Sequence, residues 1–131
     1  MILNNHFFWY TYYGDTMDGF KLKFIKLSDK ISRGEILTTE LDKYVKSNCN
    51  KSIFRDAIID LMDSDDYVVR ILAARYSYDY DIDKKKSYSI ARLILRREKS
   101  LVCRIEAKYI YDNHRRRHIR KITKLIRRKK I

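Results

Sequence analysis

Three clusters of titratable side chains carry spacings that chemistry uses, and each has a plainer reading. Asp79, Asp81 and Asp83 place carboxylates at positions 1, 3 and 5 of a calcium-loop pattern. The pattern then breaks, because Lys84 stands where the turn needs glycine and Ile90 where the loop needs a bidentate glutamate. A helix-capping turn explains the same residues. His114 and His118, four apart, would share one helix face as in zinc sites. Arg115, Arg116 and Arg117 lie between them, their charge opposes a dication, and only Asp112 stands near as a third ligand. Contact with phosphate or acidic side chains suits this pair better. Asp63, Asp65 and Asp66 around Ser64 could do acid–base work, but the same groups satisfy the free N–H donors of a helix start. No glycine elbow surrounds a serine, neither Cys49 nor Cys103 has a neighbouring histidine in sequence, and no glycine-rich phosphate loop occurs. The expectation is a non-enzyme with no metal and no cofactor.

Binding is better represented. Helical spacing puts Tyr67, Arg70, Ala74 and Ser77 or Tyr78 in one row, and Leu101, Arg104, Lys108 and Tyr111 or Asp112 in another. Stacked, the rows would make a face of Tyr, Arg and Lys running on into Arg115, Arg116 and Arg117. Tyr and Arg dominate binding energy at interfaces. Arg70 and Arg104 have a structural alternative, tying neighbouring elements through Asp63, Asp66 or a backbone carbonyl. Tyr78 and Tyr80 could stack on bases if the partner were nucleic acid. Residues 114–131 hold ten Lys or Arg and no acid, so they supply ten of the net +13. Such a tail is drawn to any polyanion. Ile119, Ile122, Leu125 and Ile126 recur in it at spacings of three and four, making it amphipathic if helical.

The elements that would position these residues are helices. The chain has no proline and only Gly14, Gly19 and Gly34, too few turn formers for a β fold of this length. Apolar periodicity predicts helices from Met17 to about Lys30, from about Gly34 to Lys46, and behind Ser52 to Met62. Further helices are predicted over 65–77, behind Asp81 or Asp83 to Arg97, and behind Ser100 to about Asn113. Three segments follow: an aromatic arm (1–16), a helical domain (17–113) and a basic C-terminal helix or tail (114–131). No stretch reaches the length of a membrane span, and the start lacks the form of a signal peptide, so a cytoplasmic location is expected.

The 65–77 helix is apolar around most of its circumference and must be sandwiched between others. Thirty-four residues on, Val68, Arg70, Ile71 and Ala73 recur as Val102, Arg104, Ile105 and Ala107, with Cys103 in the buried slot of Val69. This is the mark of a two-copy helical repeat. Asp66-x-x-Val69-Arg70-x-x-Ala73-Ala74 resembles the inner-helix signature of HEAT repeats. The order Leu61-Met62-Asp63, Asp66 to Ala74, Asp83 to Leu95 and Leu101 to Tyr111 is similar to short bacterial HEAT-like domains found among immunity-like proteins of toxin systems. That resemblance covers about residues 17–113. It implies an all-α fold, a short HEAT-like α-solenoid of six or seven helices. It also implies a non-catalytic scaffold that binds and neutralises a toxin or effector domain, here an acidic one. Direct nucleic-acid binding through the basic tail is the alternative.

Overall fold

A computed structural model describes residues 16–129, and these form six α-helices. They are α1 (Met17–Ser32), α2 (Thr38–Asn48), α3 (Phe54–Leu61), α4 (Tyr67–Asp79), α5 (Lys84–Arg97) and α6 (Leu101–Lys129). The arm expected over 1–16 lies outside the described residues except for Thr16, whose hydroxyl caps α1 by accepting from the Gly19 N–H.

Local chemistry sets most of the helix starts. Asp66 caps α4 by accepting from the N–H groups of Val68 and Val69, and Asp83 caps α5 by accepting from Lys86. Three starts fall later than the periodicity predicts, that of α4 by two residues, at Tyr67 where 65 is predicted. Gly34 adopts φ +73° and turns the chain after α1, so α2 begins at Thr38, with Leu37 at its N-cap position. α3 begins at Phe54 with Ile53, not Ser52, at the cap position. At the other end of the domain no break separates body from tail. The helix expected to stop near Asn113 runs on unbroken to Lys129, a 29-residue helix about 43 Å long at 1.5 Å per residue.

α4 is the centre. It packs against α1, α3, α5 and α6, and Val69, Ile71, Leu72, Ala73, Ala74, Tyr76, Ser77 and Tyr78 are all buried. The aromatic rings of α1 build the other half of the core, with Phe20 stacked on Tyr44 and edge-on to Phe54, and Phe24 edge-on to Tyr76.

The 34-residue offset has a physical counterpart. Arg70 Nε donates to the carbonyl of Ser64 (2.8 Å), and Arg104 Nη1 donates to that of Glu98 (3.3 Å), six residues back in each case. Arg104 reaches the Leu95 carbonyl as well. Inner positions are buried in both copies: Val69 and Cys103, Ala73 and Ala107, Tyr76 and Ile110. Outer positions diverge. Ile71 is fully buried while Ile105 is 58 % exposed, because α4 is covered on several sides and α6 only along one.

Candidate binding site

The sequence-predicted residues fall into three places. Tyr67 and Arg70 lie together at the start of α4, the guanidinium 5.2 Å from the ring centre. Their row ends there, because Ala74, Ser77 and Tyr78 face the helices packed on α4 and are buried. Tyr78 sits beneath Lys84, whose ammonium lies 4.1 Å from its ring, and meets the edge of His114. Tyr80 is partly exposed and packs edge-on against Phe54 of α3. The carbonyl-tying role for Arg70 and Arg104 is thus realised. Arg70 keeps a cation–π contact besides, and Arg104 is left exposed.

The second row does assemble. Arg104, Tyr111 and Arg115 line the side of α6 that meets α5, with Lys108 exposed one turn from Arg104. There Tyr111 stacks on Tyr88 (5.6 Å, 17°) and His114 stacks on the same ring (4.3 Å, 30°). Arg92 lies over Tyr88 and Arg115 over Tyr111, so the aromatic pair is flanked by two guanidinium groups. Tyr88 and Arg92 join this cluster without standing among the sequence-predicted contact residues. Their signal was the shared i,i+4 pattern, Tyr88 to Arg92 and Tyr111 to Arg115.

Beyond His114 every described residue of α6 is exposed. This 15-residue stretch, about 22 Å long, carries nine Lys or Arg, Arg116 and Arg117 among them, and no acid. Its apolar residues are uncovered: Ile119 is 55 % exposed, Ile122 44 %, Leu125 56 % and Ile126 50 %.

The candidate catalytic and metal groups are engaged elsewhere. Asp66 and Asp83 are caps, Asp63 pairs with Lys86 (2.7 Å), and Asp79 accepts from the Tyr109 hydroxyl (3.0 Å). Among the described residues no three His, Cys, Asp or Glu side chains converge as a metal set. His118 is exposed, whereas the His114 ring lies in the aromatic stack with Nδ1 buried and without a hydrogen-bond partner among the described residues. Burial, then the charges of His118, Arg117, Lys84 and Lys121, lower the His114 pKa.

A buried polar network joins α4, α6 and α2. Arg75 Nη1 donates to both Glu106 oxygens (3.0 and 3.2 Å), and the Tyr76 hydroxyl donates to Asp42 in a short bond. Burial raises the Glu106 pKa, with Arg75 pulling against it. Burial also works to lower the Arg75 pKa, but Glu106, Asp42 and Asp79 outweigh it. The Tyr76 phenol is held well above its usual range by burial and its bond to Asp42. These groups clamp α6 and α2 to α4. A further recess between α1 and the start of α2, lined by Leu27, Lys30, Glu35, Ile36, Leu37 and Glu40, is wide open to solvent.

Comparison with protein-family models, curated proteins and solved structures gave no match.

Proposed function

We propose that the chain is a non-catalytic protein-binding scaffold, a short HEAT-like helical array that holds an acidic partner domain. The 34-residue spacing of the Arg-to-carbonyl ties supports the repeat reading. One observation carries the binding role. The last 15 described residues of α6 stand outside the body with nine cations, no acid and four uncovered Ile or Leu side chains. Charge of this density gives fast encounter with an acidic surface, and the apolar side chains give slow release. The resemblance to immunity-like HEAT domains makes a toxin or effector domain the partner of first choice, held so that its active site is blocked. The partner is an acidic one, since a surface this basic cannot imitate nucleic acid toward a basic nuclease.

A second reading, single-stranded nucleic-acid binding, is favoured by the Tyr88–Tyr111 stack between Arg92 and Arg115. Titration with DNA and RNA at two salt concentrations separates the two. The scaffold reading expects only weak binding that fades near physiological salt. Micromolar binding there with a steep salt slope, lost on deleting residues 115–131, would replace it with the nucleic-acid reading. The deletion starts after His114 so that the ring packed on Tyr88 is kept.

A further inference from the structure

Azimuth along α6 defines what the exposed stretch is shaped to hold. One side of this helix is the seam against α5, marked by Arg104 on the Leu95 carbonyl and by Tyr111 and His114 on Tyr88. Tyr88 lies one turn into α5, which starts at Lys84, so α5 gives out alongside His114. The seam does not. Eighteen residues make five full turns at 3.6 per turn. Ile122 therefore repeats the azimuth of Arg104, and Leu125 repeats that of the buried Ala107. Ile119 and Ile126 widen the strip on the outer side. The side that meets α5 in the first half of α6 thus continues into the second half as uncovered Ile122 and Leu125, with Ile119 and Ile126 beside them on the azimuths of the exposed Leu101 and Lys108. Arg116 and Lys121 border the strip and Arg115 and Lys129 lie at its two ends, while Arg117, Arg120, Lys124, Arg127 and Arg128 occupy the opposite arc.

We propose that this strip is the docking site for an acidic amphipathic helix of a partner protein, lying end to end with α5 along α6. The inference rests on the scaffold reading and names the partner's element. Two features of the strip select this occupant, and three other occupants fit it less well. An apolar strip of width suited to one helix asks for a matching apolar stripe. Arg115, Arg116, Lys121 and Lys129 along it, with no acid among them, ask for carboxylates on the flanks of that helix. A second copy of this chain would bring the cations that border the strip against those of its twin with no acid between them. Nucleic acid satisfies the cations through its phosphates but leaves the strip uncovered. A flat lipid surface laid on Ile122 and Leu125 would run into α5, which lies on the same side of α6 as far as His114.

The test uses the full chain and a labelled 21-residue peptide of three heptads, with Leu at positions a and d and Glu at e and g. Fluorescence anisotropy is read at two salt concentrations. Binding is expected, weakened at least about tenfold by scrambling the peptide and by the same factor in Ile122→Ser/Leu125→Ser, with the salt slope unchanged in the variant. Both substitutions are at exposed positions, and circular dichroism verifies that the fold is kept. Equal binding of the scrambled peptide, or full binding by the serine variant, overturns the docking strip. If deletion of 115–131 still abolishes that binding, the scaffold reading survives the loss. If oligo(dT) or vesicles containing phosphatidylserine bind more tightly than the peptide and lose that binding in the serine variant, the strip serves that ligand and the helix proposal falls.

Discussion

Glu106 lies 34 residues after Leu72, and both side chains are buried. A carboxylate is tolerated there because Arg75 reaches it with two hydrogen bonds. Removing one member of a buried pair leaves the other uncompensated, whereas replacing both with apolar groups is far cheaper. Glu106→Leu alone should therefore cost about 2–4 kcal/mol, and Arg75→Leu/Glu106→Leu should recover most of it. A double-mutant cycle in urea that shows simple additivity would remove the pair from the account of the fold. His114 makes stability depend on pH. Its folded pKa lies below its unfolded value near 6.5, so the neutral ring stabilises the fold fully above that pH. That contribution is lost as pH falls through the folded pKa. The charges that face the ring are those of Lys84, Arg117, His118 and Lys121, and protonation adds one more cation to this group. Melting temperature should fall between pH 7.5 and 5.5, and His114→Phe, which keeps a ring against Tyr88, should flatten that slope.

At the scale of elements, the caps and the core faces were readable and the boundaries between helices were less so. Asp66, from the acidic cluster expected to cap the 65–77 helix, caps α4, and Asp83, one of two candidates with Asp81, caps α5. Asp66→Ala should cost about 1 kcal/mol by stripping the acceptor from two backbone N–H groups, measurable as a lower denaturation midpoint with unchanged slope. Val69, Ala73 and their partners Cys103 and Ala107 were legible as core because apolar identity at a fixed offset survives in both copies. The starts of α2 and α3 were not, since Gly34 at positive φ and the 51–53 turn act through backbone geometry that periodicity does not record. Tyr78 was read as surface from its row, but a row on a helix packed from several sides does not stay outside. The Arg75–Glu106 pair escaped notice because it spans 31 residues and only folding brings it together. The continuity of α6 was missed for a different reason. A run of Arg and Lys reads as a composition boundary, yet these are good helix formers and nothing in 113–118 breaks a helix.

On the scale of the whole molecule, charge is segregated: ten of the net thirteen positive charges lie in residues 114–131, and the rest of the chain is nearly balanced. The part of α6 beyond His114 is held only by its own backbone ladder and local contacts such as the Thr123 hydroxyl donating to the Ile119 carbonyl. Because it extends a helix already anchored by Ile110 and Ala107, it carries no nucleation cost. What opposes it is repulsion between like charges four apart, at Arg116 and Arg120, Arg117 and Lys121, Arg120 and Lys124, and Lys124 and Arg128. At 0.2–0.5 kcal/mol a pair, these amount to about 1–2 kcal/mol at low ionic strength, comparable with the propensity holding the stretch helical. The cations Arg127, Arg128 and Lys129 in the last turn offset part of this by facing the negative end of the helix dipole. Salt screens repulsion between charges farther apart than the Debye length, which shortens from about 30 Å at 0.01 M to 3 Å at 1 M. Helical ellipticity at 222 nm should therefore rise as salt increases from about 10 mM to 0.5 M. In a chain lacking residues 115–131 it should stay flat, since the remaining helices are held by packing. An acidic partner would act as salt does, but locally, so its binding should raise the same signal at low ionic strength and lose that effect once salt has already completed the helix.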